Sequence, residues 1–227
     1  STTEVRDVHV PPAAFLGAQV DIVLEDLPVD AVKTGMLATP AVVDEVARRA
    51  GAGRFPQLVV DPVMVASSGA RLLDDGAVAA YRDRLLPHAT VATPNVREAE
   101  VLLGTAITTL AEQCEAARRL AASGPAWVVV TGGHAVSDTT DRTVDVLADA
   151  RTGEVAVLEG ARVDTANTHG SGCTFASAVA ARLARGDTPD EAVRGARRWV
   201  HAAITSSRDW TLGAGHGPLD HGVPVSG

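Results

Sequence analysis

Short apolar runs punctuate this chain, and between them hydrophobic residues recur at helical spacing. Leu58-Val59-Val60, Thr90-Val91-Ala92 and Trp127-Val128-Val129-Val130 are runs without polar alternation, the pattern of strands covered on both faces. Asp30 to Leu37 reads as another buried strand, running into a glycine turn at Gly35. Helices are predicted over Ala13–Leu27, where Phe15, Val20, Val23, Leu24 and Leu27 lie near a 3.6-residue period, and over Pro40–Ala50, Asp74–Leu86 and Thr109–Ala122. Another begins at Pro94-Asn95-Val96-Arg97-Glu98. Two strands with polar edges follow at Thr143–Leu147 and Glu154–Leu158, joined by a turn at Ala150–Gly153. Cys173–Arg185 and Pro189–Ser206 are the last helices, and residues 1–10 read as a loop leading into a strand.

This alternation predicts an α/β fold, a three-layer α/β/α sandwich around a mostly parallel sheet, in a single domain spanning residues 1–227. No linker or internal repeat divides it. Ligands of such a fold gather at the carboxyl ends of the strands.

Composition narrows the reading. Hydrophobic residues make up 46% of the chain but aromatics only 3%, so the core must be built from Ala, Val and Leu. A net charge of −8 argues against a general nucleic-acid binder, and no apolar run approaches the ~20 residues of a membrane span. Two cysteines, Cys114 and Cys173, make no disulfide framework and suit a reducing cytoplasm.

The chemistry gathers at Asp164-Thr165-Ala166-Asn167-Thr168-His169-Gly170-Ser171-Gly172-Cys173-Thr174. Glycines 170 and 172 flank Ser171 at a helix entry, where backbone N–H groups and the helix dipole favour an anion such as phosphate. Cys173 falls in the first turn, where that field is expected to lower a thiol pKa. Its plainer reading is a small cysteine at a tight helix–sheet contact. Asp61 ends a strand, and Glu98 opens a helix after Asn95. Together they are candidate Mg²⁺ ligands, or else a turn cap and a helix cap. Lys33 is a charge inside an apolar strand that must pair or reach the rim, with no catalytic role assigned. His169 reads as a turn-stabilising histidine, and the Gly213–His221 stretch as a glycine-rich surface loop.

The run from Asp164 to Thr174, with Asp61-Pro62-Val63-Met64-Val65-Ala66, Asn95-x-x-Glu98 and the Gly-x-Gly-His-Gly-Pro ending, resembles the hydroxymethylpyrimidine/phosphomethylpyrimidine kinases. These form the thiamin-pathway branch of the ribokinase-like superfamily. The resemblance implies ATP as co-substrate, Mg²⁺, and phosphorylation of hydroxymethylpyrimidine and then of its monophosphate. It implies Cys173 as catalytic base, with Gly170, Ser171 and Gly172 forming the anion hole. It further implies Met36 and Val63 against the pyrimidine, Asn95, Thr131, Gly132 and Gly133 at the nucleotide, and Asp61 and Glu98 at the metal. Its partners are then a small pyrimidine and ATP, and the family's homodimer is allowed. Thr131 departs from the pattern, because the family commonly carries Lys there. A pyridoxal kinase of the same superfamily, or a non-catalytic pyrimidine or nucleotide binder, is the alternative. The family's opening strand and its Gly-rich loop are absent from the sequence, so a longer native protein is expected.

Overall fold

The computed structural model describes residues 1–64, 75–132 and 141–224. Within them, six strands form one sheet in sequence order: β1 (Val32–Thr34), β2 (Leu58–Val60), β3 (Val91–Ala92), β4 (Trp127–Thr131), β5 (Arg142–Asp149) and β6 (Val155–Ala161). Strands β1 to β4 are parallel, and β5 and β6 return as antiparallel neighbours. The helices are α1 (Ala13–Asp26), α2 (Pro40–Gly51), α3 (Asp75–Ala80), α4 (Val96–Leu103), α5 (Leu110–Ala121), α6 (Ser171–Ala184) and α7 (Pro189–Ser206).

The layers follow from this order. Parallel strands that advance one place at a time, joined by crossovers of one hand, put every connecting helix on the same face. Accordingly Leu58, Val60, Ala92, Val128 and Val130 bury in one core with residues of α2 to α5. Val59, Val91 and Val129 face the other way and bury with α6 and α7, which follow the antiparallel pair. All three residues of β2 are buried, Val59 and Val60 with no exposed surface, which is why that stretch is apolar without alternation. The α/β/α sandwich expected from the sequence is the fold observed.

Several elements differ from the sequence reading. Residues 1–10 form no strand, and β1 holds only three residues of the longer run expected over 30–37. The helix expected over 74–86 is regular only to Ala80. Tyr81–Leu85 is π-wound, with the Leu86 N–H donating to the Tyr81 carbonyl, and a 3₁₀ turn at Leu86–His88 follows. Pro87, lacking an N–H, ends the regular winding there. Helix α1 has the expected place but not the expected apolar seam. Phe15, Ile22, Val23 and Leu27 are exposed, and Gly17 is the one buried residue of the helix. An ion-pair cluster attaches it to α2 instead. Buried Arg49 donates from Nε and Nη2 to Asp21 at 2.9 and 2.6 Å and from Nη1 to Glu45 at 2.6 Å, passing over Gly17, where a Cβ would collide with it. No helix among the described residues is long and apolar enough to cross a membrane.

Because β2 is packed on both faces, Leu58→Ala should lower unfolding free energy by about 3 kcal/mol. Phe15→Ala on the open face of α1 should change it by less than ~0.5 kcal/mol. Guanidinium denaturation with a common slope checks both, and equal losses would contradict this account of the core.

Candidate active site

The candidate site lies where the carboxyl ends of β1 to β4 meet the first turn of α6. The sheet ladder extends one residue beyond β2, since the Asp61 N–H donates to the Thr34 carbonyl at 3.0 Å. That bond holds the Asp61 side chain at the rim yet only 4% exposed. Lys33 pairs in register with Val59, whose side chain buries against α6 and α7, so Lys33 faces the same way. Its Nζ lies 3.1 Å from Asp61 Oδ2. The requirement that Lys33 pair or reach the rim is met by pairing.

Asn95 caps α4. Its side chain accepts from the Glu98 N–H at 2.9 Å, while Glu98 Oε2 accepts from the Asn95 N–H at 2.8 Å, a reciprocal capping box. Glu98 Oε1 also accepts from the Met64 N–H at 3.5 Å, which ties the segment after β2 to α4. The helix-cap reading of Glu98 is therefore correct as far as it goes. Burial pushes the Glu98 carboxyl up to about 7, with the Asp61 charge adding to the rise and the Asn95 and Met64 amides opposing it. Burial also pushes Asp61 up, against the pull of Lys33. Two buried carboxylates, one of which raises the other, share the Lys33 cation beside Asp61. Among the described residues no third His, Cys, Asp or Glu completes a cage. Such a set suits Mg²⁺, which keeps several of its own waters.

Gly170 is the N-cap of α6, with φ at +78°, a left-handed conformation that a side chain would strain. Helix α6 thus begins at Ser171, two residues earlier than the sequence reading placed it. A Cβ on Gly170 or Gly172 would meet nothing within 4 Å, so the space above this first turn is open. The amides of Gly172 and Cys173 have no intrahelical acceptor and point out of the helix. Cys173 is exposed, and the Asp61 carboxylate lies near enough for its charge to act on the thiol. Here the sequence expectation is corrected. Desolvation first, and the Asp61 charge second, push the thiol up rather than down, and Lys33 only partly offsets them. A field argument made on the helix alone omits the carboxylates that the fold brings to its mouth.

The C-terminal stretch braces this turn from below. Asn167 Nδ2 donates to the carbonyls of Ser207 at 2.7 Å and Trp210 at 2.8 Å, and the His169 N–H donates to the Gly217 carbonyl at 3.0 Å. Thr174 Oγ1 and His221 Nε2 lie 3.0 Å apart. At the end of β4, Thr131 is half-buried and bridges to Asn95. The Gly132 N–H donates to Asp145 Oδ1 at 3.0 Å, and Asp145 Oδ2 in turn accepts from Arg197 Nε at 2.7 Å. Gly133, His134 and residues 65–69 lie outside the described residues.

The structure thus brings Asp61, Glu98 and Cys173 together, with Asn95 and Thr131 on the β4 side and Met36 and half-buried Val63 after the ends of β1 and β2. Sequence reasoning missed one contributor and left another without a partner. Tyr81, at the start of the π-wound turn, donates to the Gly35 carbonyl at 2.7 Å and accepts from the Leu37 N–H at 3.2 Å, which brackets the backbone of Met36. It is the chain's one tyrosine, and that singularity was the available signal. Lys33 was named from the sequence, but its partner, Asp61, became known only once β1 and β2 were paired.

The raised Glu98 carboxyl predicts a pH-dependent stability. Between pH 4.5 and about 7 the folded protein keeps a proton that the unfolded chain has released, so stability falls as pH rises through that window, by roughly 3 kcal/mol, and levels off above it. Glu98→Gln should flatten that slope in thermal melts across pH 4.5–8, and an unchanged slope would contradict the assignment.

Comparison with known proteins places this geometry in context. The family model described as phosphomethylpyrimidine kinase matches residues 1–220. The thiamine biosynthesis bifunctional protein ThiED of Geobacter sulfurreducens is 43% identical over 221 residues, covering 97% of this chain and 44% of its own length. The chain therefore spans less than half of that relative. The hydroxymethylpyrimidine/phosphomethylpyrimidine kinase of Bacillus subtilis is 39% identical over 221 residues, 97% of this chain and 79% of that protein. Among solved structures, the pyridoxal kinase of Staphylococcus aureus in complex with AMP-PCP and pyridoxal superposes with a TM-score of 0.84 at 34% identity, covering 95% of this chain and 75% of the other.

Proposed function

Because the chain belongs to the phosphomethylpyrimidine kinase family, we propose that it transfers the γ-phosphoryl group of ATP to hydroxymethylpyrimidine and to its monophosphate, the steps that yield the pyrimidine diphosphate for thiamin. The observation that carries this reading is the meeting of Cys173 with Asp61 beneath the open first turn of α6. The acceptor oxygen attacks the γ-phosphorus in line while the γ-phosphorus bond to the bridging oxygen breaks and ADP leaves; from the alcohol acceptor the proton passes to the Cys173 thiolate, and the amides of Gly172 and Cys173, freed by Gly170 and Ser171, stabilise charge on the transferring group. Met36 and Val63 supply the apolar contact for the pyrimidine ring. Asn95, Thr131 and Gly132 border the nucleotide, and the family resemblance assigns Gly133 to it as well.

Asp61 and Glu98 are the residues that would hold Mg²⁺. Bound there, the ion supplies charge neutralisation for the phosphates and cancels the two carboxylate charges that favour the protonated thiol. The free thiols of Cys114 and Cys173 fit a cytoplasmic enzyme. The resemblance to a pyridoxal kinase structure supports a second reading, in which the ring acceptor is pyridoxal.

The deciding measurement is ADP release with Mg-ATP and each of three acceptors: hydroxymethylpyrimidine, its monophosphate and pyridoxal. Diphosphate formation from the monophosphate is the expected result, and turnover of pyridoxal alone would replace this reading with the second. Cys173→Ala should lower turnover at least 100-fold while nucleotide affinity stays within about threefold. Full turnover in that variant would remove Cys173 from the base role.

A further inference from the structure

Of the 20 Lys and Arg side chains in this chain, Lys33 is the only lysine, and the other 19 are arginines. Arginine serves the ion pairs of the surface and of the buried α1–α2 contact alike, as at Arg49, Arg84, Arg182 and Arg197. The one departure from that usage stands inside the candidate site, in the middle of β1, with its side chain only 19% exposed. A lysine differs from an arginine there in being a compact point charge with three rotatable donors. The surroundings fit that shape. A Cβ at position 35 would stand 2.9 Å from Lys33 Nζ, so Gly35 leaves the ammonium its room. Among the described residues, Asp61 is its one ion-pair partner, and no other protein acceptor is hydrogen-bonded to it. Among the described residues that leaves its ammonium with donors to spare near the Cys173 thiol.

The position of Lys33 in the sheet decides which end of the reaction it serves. Thr131, where a nucleotide-side cation would be expected, ends β4, three strands away from β1. At about 4.8 Å per strand that separation is roughly 14 Å, beyond the reach of a lysine side chain. Lys33 instead adjoins Asp61 and Cys173 and precedes Met36 by three residues, on the acceptor side. A phosphorylated acceptor brings about two negative charges more than the alcohol does to that end of the site, and Lys33 is the cation that the described residues place there.

We propose that Lys33 is the acceptor-phosphate ligand: its ammonium binds the phosphoryl oxygens of a phosphate monoester acceptor and sets the preference for that acceptor over the free alcohol. This rests on the kinase reading above and assigns a residue to its second step. The size of Arg makes Lys33→Arg a poor substitute, and Lys33→Met removes the charge.

The test compares wild type, Lys33→Met and Lys33→Arg in steady-state kinetics with hydroxymethylpyrimidine and with its monophosphate. The readout is the ratio of kcat/KM for the monophosphate to that for the alcohol. It should fall about 30-fold or more in Lys33→Met, the worth of a charge-assisted contact. Equal losses on both acceptors would overturn the proposal and leave Lys33 a support for Asp61. A second measurement needs no variant. Reductive methylation of the wild-type protein, followed by peptide mass spectrometry, reports the Lys33 ε-amine in its own peptide. The monophosphate should protect Lys33 at least tenfold more than the alcohol does, and protection by both or by neither would overturn the proposal. Wild-type inactivity on both pyrimidines would instead refute the kinase reading, and the methylation result would still judge Lys33.

Discussion

Burial of β2 on both faces is the constraint from which the site follows. Val60 belongs to the core beneath α2 to α5 and Val59 to the core beneath α6 and α7, so the strand has no solvent side. Its last backbone step, the Asp61 N–H to the Thr34 carbonyl, carries a carboxylate to the rim without releasing it to water. A buried carboxylate must find a cation, a hydrogen-bond donor or a proton. Here Lys33 on the neighbouring strand supplies the cation, at 3.1 Å. Because α6 covers the face on which Val59, Lys33 and Asp61 all point, its open first turn is placed directly over that charge.

The same groups carry structural and chemical duties at once. Glu98 closes the capping box of α4 and ties down Met64, yet burial brings its carboxyl to near-neutral titration. Asp145 anchors the Gly132 amide after β4 and is itself held by Arg197 of α7, so the last long helix steadies the end of β4 across the sheet. Asn167 ties the approach to α6 to the chain beyond α7 through carbonyls of Ser207 and Trp210. Preorganisation of this kind, in which each donor is fixed before a ligand arrives, is what electrostatic stabilisation of a transferring phosphoryl group requires.

Much of this was legible in the sequence because it depends on local rules. Continuous apolar runs announced strands buried on both faces, and Asn95-x-x-Glu98 announced a capped helix. Gly170-Ser171-Gly172 announced an open helix entry, since glycine at a left-handed N-cap is a backbone requirement. Other features were not local. The π-wound turn at Tyr81–Leu85 has the composition of an ordinary helix, and only the hydrogen bonds of Tyr81 to the Gly35–Leu37 backbone, more than 40 residues away in sequence, give it a purpose. Helix α1 carries apolar residues at helical spacing but is attached to α2 through Arg49 and Asp21, a pairing that periodicity does not encode.

The sequence by itself determined the fold class, the order of the elements, the glycine-opened entry to α6 and the family resemblance, because each is written in the pattern of neighbouring residues. Only the tertiary structure decided how the charged groups act on one another. Lys33, Asp61, Glu98 and Cys173 are spread over 140 residues of chain, and none of their spacings in sequence predicts a contact. The pairing of β1 with β2 and the placement of α6 bring them together. Electrostatic interaction depends on distance in space and on the water excluded between charges. That is why the thiol is pushed up where the helix alone would have lowered it, and why the chain's single lysine acquired a partner only once the sheet was assembled.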